Sequence, residues 1–141
     1  MSKFLLLFAC VFSINIYAQN NEYIERQGQV TFFSYTAADN IQAENNQVLS
    51  IFNVDDKEIA VSILMRAFVF EKTLMREHFN ESYIESDLYP KATFSGKIVD
   101  FDNQNKSVQT KIIKGEFALK GVSKQVEIKV KISNTKKGYN I

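Results

Sequence analysis

The chain has no tryptophan, and only one cysteine, one proline and one histidine among its 141 residues. Each scarcity excludes something. The lone cysteine, Cys10, lies in an N-terminal apolar run, so no disulfide framework can staple the fold. If that run is removed, no thiol nucleophile remains either. A single histidine, His78, falls short of the three or four protein ligands that zinc sites take, and no HExxH spacing occurs. No GxSxG elbow, P-loop or dinucleotide-binding glycine pattern is present. Net charge is only +1, which with no recognised motif disfavours nucleic acid as a partner.

The N-terminus reads as a secretory signal. Lys3 supplies the positive end, Phe4 to Ile16 the apolar core, and Ala18 a small residue before the expected cut. The run is short for a membrane span and has no stop-transfer flank. Leu7-Phe8-Ala9-Cys10 resembles a lipoprotein box, but the apolar stretch before it is only a few residues long. The expectation is a signal peptide over 1–18 and one exported domain over 19–141, periplasmic or secreted. About 120 residues suffice for a packed core, which must hold the domain together without disulfides. Export without a cysteine framework suits a bacterial envelope.

Charge is divided along the chain. Gln19 to Pro90 carries 5 Lys/Arg against 12 Asp/Glu, and Lys91 to Ile141 carries 11 Lys against 4 Asp/Glu. A basic half can steer an anionic head group or approach a membrane surface. The plainer reading places these lysines on the wet face of strands.

The mature chain alternates with period two. In Val126 to Ile132, Val126, Ile128, Val130 and Ile132 share one face, and Glu127, Lys129 and Lys131 the other. In "ATFSGKIVDF", Ala92, Phe94, Gly96 and Ile98 share a face, and Asp100 to Asn103 form a turn. Val108 to Gly121 is a longer strand, in which Gly115 predicts a bulge or bend. Gln29–Thr36, Gln47–Val54 and Glu58–Phe70 are also strands, the last two joined by a turn over Asn53 to Lys57. The pattern predicts an all-β, antiparallel barrel or sandwich with six strands and a seventh begun at Tyr139. Inward candidates are Phe32, Phe52, Val61, Ile63, Phe68, Phe70, Phe94 and Ile98. They either fill a core or line a cavity, and the pattern alone favours a filled core.

One stretch breaks the alternation. Leu74 with His78, and Met75 with Phe79, are spaced four apart, and Tyr83 lies four beyond Phe79. This is a helical stripe near 71–84, with Arg76, Glu77, Asn80 and Glu81 on its polar side. Glu85 to Asp87 is turn chemistry, and Pro90 launches the next strand where proline is tolerated. The stripe predicts a short helix closing one end of the sheet, with His78 half-buried. Three functions fit this stretch: a rim around an apolar ligand, a metal-dependent or hydrolytic site using His78 and Glu81, and a structural envelope protein that binds nothing.

"FVFEKTLMREHFNESYIESDLYPKATFSGKI" (Phe68 to Ile98) resembles the signature region of the YceI-like family, in the form found in Bacteroidetes envelope proteins. The matching features are Phe-x-Phe at Phe68 to Phe70, Leu74 to Asn80, Tyr83 to Ser86, and Tyr89 to Ile98. Lys114 to Ile128 resembles the family's second landmark, and Gly28 to Asn45 its opening. The resemblance implies a lipocalin-like β-barrel, about eight strands in the family and six to seven here, with the last strands missing. It implies an amphipathic lipid of the polyisoprenoid or isoprenoid-quinone kind as ligand, no cofactor, no metal and no enzymatic activity. Phe68, Phe70, Met75, His78, Phe79, Tyr83 and Phe94 match the motif around the cavity end, with Ile63 and Ile98 as further ligand-facing candidates. The expected partners are the lipid, a membrane in transient contact, and a second copy paired through an open sheet edge.

Overall fold

The computed structural model describes residues 21–35, 37 and 40–141. The expected signal peptide, with Cys10, and Thr36 at the end of the first expected strand lie outside the described residues. The strands are β1 (Glu22–Tyr35), β2 (Asn40–Asn53), β3 (Glu58–Leu64), β4 (Val69–Phe70), β5 (Lys91–Ile98), β6 (Gln109–Leu119), β7 (Val122–Thr135) and β8 (Gly138–Asn140). Between β4 and β5 lie the helix α1 (Thr73–His78) and a π-helical turn over Phe79–Tyr83. The sheet order is β1-β2-β3-β5-β6-β7-β8, and the short β4 pairs off this path with β2. All seven ladders are antiparallel. The seven strands of the main path curl into a nearly closed barrel. Across the seam the rings of Tyr23 on β1 and Tyr139 on β8 meet edge to face, 5.4 Å apart.

Alternation fixes the register because a one-residue slip would turn every apolar side chain to solvent. β5 shows this most clearly: Ala92, Phe94 and Ile98 are buried, while Lys91, Thr93, Ser95 and Lys97 are exposed. The expected turn over Asn53 to Lys57 joins β2 to β3. The β6–β7 hairpin turns through Lys120 and Gly121, both at positive φ (50° and 73°), as a two-residue primed turn requires. Lys97, Lys114, Lys129 and Lys131 stand on the exposed faces of their strands.

Two sequence expectations are corrected. Glu58–Phe70 is not one strand: a 3-10 turn over Met65–Ala67 ends β3 and redirects the chain into β4. Buried Asn45 anchors this break, its side-chain amide donating to the Leu64 carbonyl at 2.9 Å, and the backbone N–H of Met65 bonds the Pro90 carbonyl. Gly115 carries no bulge, since β6 keeps an unshifted register with both β5 and β7. It lies directly opposite Gly96, and a methyl on Gly115 would come within 2.6 Å of the Gly96 Cα and 2.8 Å of the Phe94 ring. The glycine pair therefore lets two backbones and a ring approach closely. The irregularity sits instead in β1–β2, with register shifts around Gly28. The expected break after Ile98 is present, with Asp100 at positive φ (57°), and Phe101 within it is 2% exposed and lies in the core.

The core has two connected halves. One gathers Phe52, Val54, Phe94, Ile98, Phe101, Ile113 and Ile132. The other, at the helical end, gathers Ala43, Val48, Ile63, Met65, Phe68 and Ala92, with Phe32, Phe70 and Phe79 packed against them. Val61 and Phe117 touch both halves. All eight inward candidates fall in these two groups, which supply the burial that holds a disulfide-free domain.

Candidate functional site

The site is built where β1, β2 and β4 end beneath the helical cap. β4 joins β2 through Ala43 opposite Phe70 and Glu44 opposite Val69, which places the Phe68–Phe70 segment against the inner face. Four rings close this end of the barrel. Phe32 packs edge to face on Phe68 (5.2 Å) and Phe70 (6.0 Å), and Phe79 packs on Phe68 (5.7 Å) and Phe70 (5.0 Å). Phe32 and Phe79 themselves are stacked at 5.4 Å.

The cap holds its shape through two polar residues. Asn80 is buried, against the expectation of a solvated helix face, because the π-turn rotates it inward. Its side-chain amide donates to the Arg76 carbonyl at 2.9 Å. Ser86, also buried, donates through Oγ to Asn80 Oδ1 at 2.8 Å, and its backbone N–H donates to the Asn80 carbonyl. At the surface, Arg66 pairs with Asp87, and Lys120 Nζ donates to the Tyr83 carbonyl at 2.8 Å. Both side chains of the first pair are exposed, so it contributes little.

Between the cap and the strand ends lies a cavity of about 550 Å³. Its walls are Phe32, Ile41 and Phe70 from the sheet and Leu74, Met75, Phe79 and Tyr83 from the cap, with Ser34, Lys72 and His78 as polar members. Of the nine ligand-facing candidates, Phe70, Met75, His78, Phe79 and Tyr83 line it. Phe68 and Ile63 lie buried in the core half beneath, and Phe94 and Ile98 belong to the opposite half. His78 is exposed rather than half-buried, because α1 is only six residues long and lays no part of itself fully against the barrel. Among the other lining residues, alternation marks Phe32 as inward and Ser34, two residues on, as sharing its face, whereas Ile41 and Lys72 carry no such signal in the sequence.

A second cavity, of about 690 Å³, opens at the β1–β8 seam. Val48, Phe52, Ile59 and Val61 are among its apolar lining residues, and Glu25, Gln29, Lys137 and Asn140 among its polar ones. Tyr139, on its wall, has its phenol pKa raised above the ordinary value by burial and, secondarily, by the nearby Tyr23. A larger concavity beside the Gly28 bulge is lined by Arg26, Gln27, Asn46 and Gln47, with Leu49 as its one apolar member. Among the described residues, no three His, Cys, Asp or Glu side chains converge as metal ligands, and no helix is long and apolar enough to cross a membrane.

A seven-strand antiparallel barrel, capped by a short helix over an apolar cavity, is a lipocalin-like fold. This chain belongs to the YceI-like domain family, whose sequence pattern matches residues 20–140. It is similar in structure to a polyisoprenoid-binding domain from Saccharophagus degradans implicated in plant cell wall breakdown. That match has a TM-score of 0.65 at 10% identity and covers 79% of this chain and 67% of that one. The YceI protein of Campylobacter jejuni matches with a TM-score of 0.49 at 17% identity, over 82% of this chain and 60% of its own. The chain thus spans about two thirds of the first structure and less of the second. No curated protein matches the sequence.

Proposed function

We propose that this protein is exported to the cell envelope and binds an amphipathic isoprenoid lipid, of the polyprenyl or quinone kind, for storage or transport. The observation that carries the reading is the cavity under the cap. Its volume of about 550 Å³ falls within the range of roughly 300–1,000 Å³ typical of small-molecule sites. Its walls are aromatic and aliphatic apart from Ser34, Lys72 and His78. The isoprenoid tail packs on Phe32, Phe70 and Phe79, and the polar head sits near Lys72 and His78. Family membership supports this reading, as does the likeness to a domain described as polyisoprenoid-binding.

Deeper access to the barrel is filled by Phe32, Phe68 and Phe79. A long tail therefore reaches the interior only by moving these rings. Leu74 and Tyr83, on the cavity wall, are 65% and 64% exposed, and they offer the membrane an apolar rim during transfer. The reading gives His78 and Glu81 no catalytic duty. Both are exposed on a short cap, and a hydrolytic or metal site needs further converging groups.

The test is titration of the lipid-free protein with a dansyl-labelled prenyl alcohol. Saturable one-to-one binding is expected, weakened by Met75→Asp and largely kept in His78→Ala. Absence of binding, or binding indifferent to Met75→Asp, contradicts the assignment to this cavity.

A further inference from the structure

The cavity under the cap is shut at its inner end. Phe32, Phe70 and Phe79 line it, and Phe68 stands behind them, in ring contact with both Phe32 and Phe79 but outside the lining. Phe68 is 5% exposed, and Ala43, Val48, Ile63, Met65 and Ala92 of the same core half are buried too. Side chains therefore fill the barrel beneath the rings.

The spacing of the rings leaves no passage. Carbon atoms in contact stand about 3.5–4.0 Å apart, so a chain threading between two rings needs them roughly 7–8 Å apart. The Phe32 and Phe79 centroids are 5.4 Å apart, and Phe68 lies 5.2 Å from Phe32 and 5.7 Å from Phe79. An apolar tail that enters the cavity stops at this cluster. What fits in front of it follows from volume. At roughly 30 Å³ for each carbon-sized group, the share of a water molecule in the liquid, a cavity of about 550 Å³ holds on the order of 18 carbons. That is about three to four isoprene units. Further units of a longer tail stay outside, beyond the exposed Leu74 and Tyr83.

We infer that the site selects isoprenoids by length: it takes a prenyl chain of about three to four units, and the Phe32–Phe68–Phe79 cluster sets the limit. The inference rests on the lipid reading and narrows its ligand class. Phe79, the one ring of the three that the cap contributes and only half-buried, is the member whose removal should move the limit.

The test offers the lipid-free protein a choice. Phosphatidylcholine vesicles carry equal amounts of farnesol, geranylgeraniol, geranylfarnesol and solanesol, with three, four, five and nine isoprene units. Protein and vesicles are incubated until the bound mixture stops changing, then separated, and the bound lipid is analysed by mass spectrometry. A unit that enters the cavity exchanges one apolar environment for another, whereas a unit left outside loses its burial in the bilayer. Farnesol and geranylgeraniol are expected on the protein, with solanesol depleted on the order of a hundredfold or more against geranylgeraniol. Phe79→Ala removes a ring with about the carbon content of one isoprene unit, so bound geranylfarnesol should rise roughly tenfold against geranylgeraniol. If its melting curve shows that variant unfolded, the wild-type distribution decides alone. A wild type that takes solanesol as readily as geranylgeraniol overturns the inference and leaves the lipid reading standing. So does a folded Phe79→Ala with the wild-type distribution. A wild type that takes no prenyl alcohol overturns the lipid reading, and this inference with it.

Discussion

The rings of Phe32 on β1 and Phe79 on the helical cap lie stacked, with centroids 5.4 Å apart and planes 22° from parallel. This contact joins the barrel wall to the segment that closes it. Both rings also face the cavity, so the same pair holds the cap down and gives the cavity a flat apolar wall.

Truncating Phe79 removes its contacts with three other phenylalanines. Phe79→Ala is expected to lower unfolding free energy by about 2–3 kcal/mol, below the usual range for a fully buried ring because Phe79 is half-buried. A double-mutant cycle with Phe32→Ala should give a coupling of about 1 kcal/mol in urea denaturation. Additive losses would mean that the stacking carries no energy of its own.

Ser86→Ala leaves buried Asn80 Oδ1 without the 2.8 Å bond it accepts. The expected loss is about 1–3 kcal/mol, concentrated in the cap. Hydrogen exchange should speed up at the amides of Ile84 and Ser86, which bond back to Phe79 and Asn80, while the β3–β5 ladder keeps its protection. Uniform loss of protection across the barrel would contradict a local clasp.

Gly115→Ala places a methyl between Gly96, the Ser95 carbonyl and the Phe94 ring, where no flexible side-chain end can yield. The expected destabilisation is about 1–3 kcal/mol or more by thermal unfolding, the ordinary cost of overpacking. A near-neutral effect would mean that β5 and β6 separate easily, against the unbroken ladder between them.

The raised pKa of Tyr139 makes stability depend on pH at the alkaline end. The unfolded chain loses this phenol proton near the ordinary tyrosine value of about 10, before the folded chain does. Its contribution is thus complete below that value and declines as pH rises through the higher folded value. Comparing wild type with Tyr139→Phe cancels the lysines that titrate in the same region. The difference in unfolding free energy should be flat up to about pH 10 and shift against the wild type above it. A flat difference to pH 11.5 would contradict the raised value.

Alternation made much of the fold legible. Ala92 to Ile98 and Val126 to Ile132 alternate strictly, and the eight residues read as inward all lie in the core. The starts of β1 and β2 were hidden because Glu22, Glu25, Arg26 and Asn40 are polar and exposed, which gives period two no contrast there. The break at Met65 was hidden for the opposite reason. The apolar run from Ile63 to Met65 continues through it, and the anchor that enforces the break, Asn45, comes from another strand. The cap's stripe was readable, but the π-turn shifts its phase and carries Asn80 from the wet side to the dry one. Buried polar clasps such as Asn80–Ser86 follow from tertiary packing, which spacing does not encode. For the candidate site, the cap residues stood out as a helical stripe, whereas Ile41 and Lys72 reach the cavity only through the pairing of β4 with β2.

Isoprenoid binding is the central claim, and the most direct measurement is of what the protein carries when it is taken from cells. Residues 19–141, directed to a bacterial periplasm, would be purified gently and extracted with solvent, and the extract analysed by mass spectrometry beside Met75→Asp. The account predicts an isoprenoid lipid near one equivalent in the wild type and clearly less in the variant. A folded protein that carries no isoprenoid, and takes none up from added prenyl lipid, would contradict it.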